Sequence, residues 1–367
     1  MTSDFFRFAP LCALAFAAHA AQAAPRTGHL NDTGISRCES PNGTLHADCA
    51  DSLQDAASGR DVAHAAEADG HLGFKWVKLA ADGSALPADA AQWACIADQV
   101  TGLVWEMKTA DGGVHDAARR YTNLGDGSAA DAGALVAASN AEGLCGRADW
   151  RLPARGELQG IVDYSRSTPG PSVDVAWFPN SDGYSFWTAT VQASNPDGAH
   201  WHVNFQDGWT GTLANTYAFG EARVVSGRTV VGSPRFKVVG GGAEVADSAT
   251  GLVWARCTVG QQWNGSTCVG KVQAYTWQDA LRIGAQAAEH HGQPWRLPNA
   301  KEIASLAVDG QADPDIDPTL FPNSPSRLYW TSSPYVGFPL YAWTFYGYDG
   351  SINFENVLEL HLLRLVR

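Results

Sequence analysis

The feature that most constrains the fold of this chain is an internal repeat. Thr-Gly-Leu-Val-Trp at residues 101–105 returns at 250–254, and Trp-Arg-Leu-Pro at 150–153 returns at 295–298. Further short matches follow in the same order: Glu157-Leu158 with Glu302-Ile303, Phe178-Pro179-Asn180 with Phe321-Pro322-Asn323, Trp187-Thr188 with Trp330-Thr331, Asp207-Gly208 with Asp349-Gly350, and Arg223 with Arg364. Ordered matches at nearly constant spacing predict two copies of one folded module, and 367 residues are enough for two domains.

The boundary between the copies is expected within residues 230–242, where Gly-rich turns interrupt the pattern. We assign residues 73–229 to the first module and residues 230–367 to the second. Residues 24–72 are polar and rich in Ala, Gly and Asp, and this composition predicts a spacer rather than a domain.

The first residues read as an export signal. Arg7 precedes an apolar run at residues 8–18, and Ala21-Gln22-Ala23 is a small-x-small cleavage site. We therefore predict a signal peptide over residues 1–23 and a mature protein in the periplasm, on the cell surface or outside the cell. No later apolar stretch is long enough to predict a transmembrane helix.

The cysteines of the mature chain form three pairs: Cys38 with Cys49, Cys95 with Cys145, and Cys257 with Cys268. An even number of cysteines in an exported chain predicts disulfides. Zinc is the alternative, but there is no Cys-x-x-Cys and no His at ligand spacing beside these residues.

The net charge of −13 restricts the partners. An acidic chain repels phosphate backbones and anionic membranes at long range, so we do not expect a nucleic-acid partner.

Each module is predicted to be α+β. Apolar residues have helical spacing at residues 157–164 and 277–288, and Thr276 is a suitable N-cap for the second segment. The regions around Trp187, Trp201 and Trp343 are instead rich in aromatic and β-branched residues, and they predict short strands separated by Gly, Asn and Asp turns.

The Trp-Arg-Leu-Pro motif is followed in each copy by an acidic residue, Glu157 or Glu302. One interpretation is a structural brace, and the other is a general acid with an oriented partner. No nucleophile or second carboxylate recurs beside the motif, so we predict the brace and assign no catalytic residue. The predicted brace residues are Trp150, Arg151 and Glu157 in the first copy, and Trp295, Arg296 and Glu302 in the second.

Several motifs together resemble one known family. They are Gly73-Phe74-Lys75-Trp76-Val77-Lys78-Leu79, Trp93-x-Cys95, both Thr-Gly-Leu-Val-Trp and both Trp-Arg-Leu-Pro-x-x-x-Glu stretches, and Arg364-Leu365-Val366-Arg367. In this order they resemble the Lcl C-terminal domain, also called domain of unknown function 1566, in tandem. The resemblance extends over essentially the whole chain after residue 72.

The resemblance implies a fold like that of C-type lectins, with few helices, many short strands and a loop face that presents a ligand. The adhesin that gives the family its name is implicated in attachment through sulfated polysaccharides, but this acidic chain lacks a basic run to meet sulfate. The Arg-Leu-Pro-x-x-x-Glu string is also similar to part of the formylglycine-generating enzymes, which hold copper on a cysteine pair. That likeness implies an oxidase, yet a structural bridge explains Cys95 and Cys145 better.

Aromatic residues beside the repeated Asp-Gly turns are the remaining surface signal. Alternation along the strands predicts that one set packs inward and the other faces out. Outward rings beside acidic groups suit sugar stacking or docking of a protein loop, although all of these rings could instead belong to the core. The candidate ligand-binding residues are Asp207, Trp209, Tyr346, Tyr348 and Asp349.

No cofactor is predicted, with calcium as the one possibility. The oxygens of Asp313, Asp315 and Asp317 are numerous enough for calcium, but a solvated turn explains them better. We therefore expect an exported, non-catalytic recognition module that binds a glycan or a surface protein in adhesion. The alternative is a structural subunit or spacer of an envelope or fibre assembly, as a homo-oligomer or with an appendage partner.

Overall fold

The computed structural model describes residues 30–63, 65, 67–166, 170–227 and 234–367. The predicted signal peptide and the first part of the expected module boundary lie outside these residues.

The described part of the N-terminal segment includes β1 (Cys38–Glu39), β2 (Leu45–His46), a 3-10 turn (Asp55–Ala57) and α1 (Arg60–Ala63). It is docked rather than freely tethered. Asn31 donates to Asp98 of the first module at 2.7 Å, and Asn299 of the second donates to Asp32 at 2.9 Å. The polar composition of this segment therefore reflects buried hydrogen bonds as well as solvated turns.

The first module has two antiparallel sheets, in the strand orders β3-β4-β5-β9 and β6-β7-β8. Its elements are β3 (Trp76–Leu79), β4 (Cys95–Asp98), β5 (Val104–Glu106), α2 (Ala132–Glu142), α3 (Arg155–Gly160), β6 (Ser185–Val191), β7 (Ala199–Asn204), β8 (Thr210–Ala214) and β9 (Val225–Ser226).

The second module repeats this plan, with sheets β10-β11-β12 and β15-β16-β17 and an added hairpin, β13-β14. Its elements are β10 (Phe236–Val239), β11 (Glu244–Asp247), β12 (Val253–Ala255), β13 (Gln262–Trp263), β14 (Cys268–Val269), α4 (Trp277–His291), α5 (Ala300–Ala304), β15 (Leu328–Pro334), β16 (Tyr341–Tyr346) and β17 (Ile352–Asn356). Small antiparallel sheets, few helices and many loops thus characterise both copies.

The repeated tryptophans occupy equivalent core positions. Trp187 and Trp330 are fully buried, and their indole N–H groups donate to the backbone carbonyls of Tyr121 and Tyr275, each at 2.8 Å. Buried indoles usually have such a partner. The strands predicted around Trp187, Trp201 and Trp343 are present as β6, β7 and β16.

The helices differ in part from expectation. α4 begins after Thr276, whose side chain accepts from the backbone N–H of Asp279, as predicted. The helix expected at residues 157–164 instead spans Arg155–Gly160, because the backbone N–H of Asp163 already bonds to Ser172 across a turn. α2 was not predicted, since its many alanines give no strong apolar periodicity.

One hydrophobic core includes residues of both modules. α3 contacts α5, and the ring of Tyr164 packs edge-on against Trp343, with 4.8 Å between ring centroids. The two copies therefore pack against each other and do not form separate, independently packed domains.

Disulfides join the three predicted cysteine pairs. Cys95–Cys145 connects β4 to the turn after α2, and Cys257–Cys268 closes the hairpin of β13 and β14.

Candidate functional site

In each copy the Arg of Trp-Arg-Leu-Pro forms a two-point ion pair with the following Glu. The Nη1 and Nη2 atoms of Arg151 lie 2.7 and 2.8 Å from the carboxylate of Glu157. Those of Arg296 lie 2.7 and 2.6 Å from the carboxylate of Glu302. Two parallel N–H···O bonds fix the orientation of both groups.

The same carboxylates organise the first turns of α3 and α5. Glu157 accepts from the backbone N–H of Ala154, and Glu302 accepts from that of Asn299, each at 2.8 Å. These are orphan donors at a helix N-terminus. Both oxygens of each Glu are thus engaged, which is the geometry of a brace between strand and helix.

The two tryptophans of the motif are buried beside these braces. Trp150 donates its indole N–H to the carbonyl of Leu144 at 3.0 Å. The guanidinium of Arg367 lies 5.3 Å from the centre of the Trp295 ring.

The candidate ligand residues of the first module do not share an open surface. Asp207 is buried, and its Oδ2 atom accepts from the hydroxyl of Tyr335, 3.4 Å away in the second module. Trp209 is half-buried, with its ring edge-on to His202 at 4.9 Å. Asp207 therefore belongs to the contact between the modules.

The candidates of the second module are more accessible. Tyr348 is 39% exposed, and its ring stacks with Tyr346 at 5.7 Å and an interplanar angle of 29°. Asp349 instead stabilises its own turn: its side chain accepts from Ser351, and its backbone carbonyl accepts from Arg155 at 2.8 Å.

A surface concavity of about 480 Å³ lies beside the tyrosine pair. Tyr346 lines it together with Arg327, Leu360 and His361, and Leu360 is 56% exposed. We call Tyr346, Tyr348 and these three residues the tyrosine surface. Aromatic, aliphatic and hydrogen-bonding groups meet here at one place.

The first module carries exposed aromatic residues at positions equivalent to this surface. Tyr184 and Phe219 align with Arg327 and Leu360, and they are 54% and 66% exposed. Arg120 places its guanidinium 4.5 Å from the centre of the Tyr184 ring. The sequence analysis did not select these two residues, because it considered only aromatic residues near motifs that are repeated in both copies. Aromatic residues that occur in one copy alone would have indicated them.

A second concavity, of about 600 Å³, lies between the modules. We call it the cleft. Its lining includes residues near the start of α3 and α5, together with Thr101 and Thr250 of the two repeated Thr-Gly-Leu-Val-Trp motifs. The four cationic side chains that line it are Arg151, Arg155, Arg235 and Lys301, and its two acidic residues are Glu157 and Asp309.

Lys301 is a buried cation at the wall of this cleft. Its ammonium donates to the carbonyls of Asp32 and Gly160 at 2.6 and 2.9 Å. Burial lowers the pKa of Lys301 to about 7, although nearby carboxylates oppose the shift.

Burial, reinforced by the charge of Asp32, raises the pKa of Asp55 to about 8.

The acidic run at residues 313–317 is a solvated turn only in part, because Asp313 is exposed and Asp315 is not. Asp315 is buried and accepts from Nη2 of Arg155 at 2.9 Å. Burial raises the pKa of Asp315 to about 7, although Arg155 opposes the shift. Asp317 is held by bonds from Thr319. Among the described residues the run forms no group close enough to share a metal ion; the one group that does is Cys38, His46 and Cys49, whose sulfurs form a disulfide.

The comparison with known families agrees with this duplicated architecture. The Lcl C-terminal domain family matches residues 94–226 and again residues 243–367. The chain belongs to the Lcl C-terminal domain family. Its two segments are consistent with tandem Lcl C-terminal domains, and the observed sheets extend each one toward the N-terminus through β3 and β10. No curated protein and no solved structure matches the chain.

None of the helices in the described part of the chain has the length and apolar character needed to cross a membrane.

Proposed function

We propose that this protein is an exported recognition protein that binds a glycan, or a protein loop, on the tyrosine surface of the second module. One observation carries the proposal: Tyr346 lines a concavity that also offers polar side chains, and the exposed ring of Tyr348 stacks on Tyr346. Stacked aromatic rings supply apolar area at low cost in side-chain entropy, and neighbouring polar groups fix a ligand's orientation.

Polar atoms of this surface support the same assignment. Arg327, Asn353 and Glu355 line the concavity beside Tyr346. The Nε2 atom of His361 is shielded from solvent and has no hydrogen-bond partner among the described residues. Shielded polar atoms without a partner are uncommon in folded proteins, and they occur where water or a ligand completes the bonding.

We infer that each module is a C-type lectin-like domain, because small antiparallel sheets and short helices support long loops in both copies. We further propose that the domains are non-catalytic, that the chain is secreted or surface-exposed after removal of residues 1–23, and that its three disulfides suit an oxidising compartment.

The test is a glycan array, with a pull-down from surface extracts, on residues 24–367 and on Tyr348→Ala. We expect the variant to lose at least tenfold in affinity for the best array ligand, since it removes one ring of the stack. Phe338→Ala is the matched control. Phe338 is also an exposed aromatic residue, at 59%, but it precedes the first residue of β16, whereas Tyr346 is the last. Equal binding by Tyr348→Ala and the parent protein would contradict the assignment.

The continuous core of the two modules favours one further candidate function, a rigid spacer in an envelope or fibre assembly. Such a role requires defined oligomers or a partner subunit. Native-size measurement after cell fractionation tests it, and a free monomer in the medium would argue against it.

A further inference from the structure

We propose that the cleft between the modules is a second ligand site, for a small carboxylic acid that also carries hydroxyl or ammonium donors. The cleft volume of about 600 Å³ is typical of sites that enclose small molecules. This inference goes beyond the proposed function and does not depend on it.

The two sides of the cleft are built on equivalent aspartates. In the first module Asp98 accepts from Thr101 at 2.6 Å and from Asn31 at 2.7 Å. In the second module Asp247 accepts from the equivalent residue, Thr250, at 2.9 Å. Asp247 also accepts from Nε and Nη2 of Arg235, at 2.9 and 2.7 Å. The equivalent aspartates therefore hold an amide on one side of the cleft and a guanidinium on the other.

Each of these side chains keeps one polar group without a partner. Asn31 is 1% exposed and lines the cleft, yet its Oδ1 atom has no hydrogen-bond partner among the described residues. Arg235 uses Nε and Nη2, whereas no described residue accepts from its Nη1 atom. The side chain of Arg235 is 30% exposed and lines the cleft.

The free groups define the ligand. An unpartnered guanidinium edge suits a carboxylate, and an unpartnered amide oxygen requires a hydroxyl or ammonium donor. Arg151 and Arg155 at the cleft are already paired with Glu157 and Asp315, so the free Nη1 group of Arg235 is the donor left for an acidic ligand. Leu30, Leu103, Ala249 and Ala304 supply apolar contact for the body of the ligand.

Sugar acids and short peptides share this chemistry, and titration calorimetry on residues 24–367 distinguishes them. The probes are D-galacturonate, its neutral parent D-galactose, and L-alanyl-L-alanine. We expect saturable binding of at least one acid, with galactose at least tenfold weaker than galacturonate if the sugar acid binds. Binding of galacturonate alone identifies a sugar acid as the ligand, and binding of the dipeptide alone identifies a peptide or amino acid.

Variants on both sides of the cleft test the assignment. Arg235→Gln and Asn31→Ala should each weaken acid binding at least tenfold, whereas Tyr348→Ala should not change it. Arg282→Gln is the matched control, because Arg282 is a 63% exposed arginine on α4 outside the cleft. Melting curves identify any variant that fails to fold. In that case the binding affinity of the variant on the other side of the cleft tests the proposal. Absence of binding by both acids, or equal weakening by Arg282→Gln, would overturn the proposal.

Discussion

Two charged residues that occur in only one copy of the repeat, Arg155 and Lys301, line the cleft and bond beyond their own copy. Arg155 aligns with Ala300, and it bonds to Asp315 and to the carbonyl of Asp349 in the other module. Lys301 aligns with Gly156, and it bonds to the carbonyls of Asp32 and Gly160. These two unmatched buried charges have partners outside their own copy, whereas Glu106 and Lys108, which are also unmatched, pair with each other inside the first module.

Arg155→Ala, which introduces the residue of the second copy, should destabilise the protein by about 3 kcal/mol. Removing one member of a buried ion pair leaves the other, Asp315, uncompensated. Urea unfolding at pH 8 measures the change. Adding Asp315→Ser, the residue of the first copy, should restore a large part of it. A loss below about 1 kcal/mol in the single variant would mean that this pair does not hold the modules together.

The stability of the protein should fall as pH rises from about 4 to 8, through the titration of Asp55. The folded-state pKa of Asp55 is about 8, above an unfolded value of about 4, so its protonated form favours folding and that contribution is lost as pH rises through the folded pKa. Asp55→Asn should therefore reduce the decrease in melting temperature between pH 5 and pH 9. The exposed Asp126→Asn serves as control, and it should leave the decrease unchanged.

At the scale of elements, the sequence predicts what depends on local pattern. The strands around Trp187, Trp201 and Trp343 and the Thr276 cap follow from aromatic content and capping chemistry. α2 escapes prediction because its buried face is made largely of alanine and leucine without clear periodicity. The burial of Asp207 was also unpredictable, since it depends on Tyr335 of the other module rather than on neighbours along the chain.

The disulfides should contribute unequally to stability. Replacing both cysteines of Cys95–Cys145 with serine should lower the free energy of unfolding by about 4 kcal/mol. The same replacement at Cys257–Cys268 should lower it by about 3 kcal/mol. The difference is expected because the first disulfide closes a loop of 50 residues and the second a loop of 11. Chemical unfolding of each double variant measures the two values. The reverse order would show that local packing, rather than loop closure, determines the contribution of these bridges.

At the scale of the whole molecule, duplication predicts two modules but not how they associate. The family match and the repeat agree on two copies, yet the core is continuous between them and the N-terminal segment bonds to both. The composition of residues 24–72 indicated a spacer because polar residues usually face solvent. Here several of them instead satisfy one another in buried positions, as Thr33 does by donating to Asp55 at 2.8 Å.

A shared core should make unfolding cooperative across both modules. We expect one transition in differential scanning calorimetry of residues 24–367, with equal calorimetric and van't Hoff enthalpies. Two resolved transitions would indicate that the modules fold as separate domains.

The central claim, recognition through the tyrosine surface, is tested most directly by comparing Tyr348→Ala with Phe338→Ala on one glycan array with a parallel protein pull-down. The account predicts a specific ligand of the parent protein that Phe338→Ala retains and Tyr348→Ala loses. If the parent protein bound no ligand above background, or if both variants bound alike, this surface would not be the recognition site.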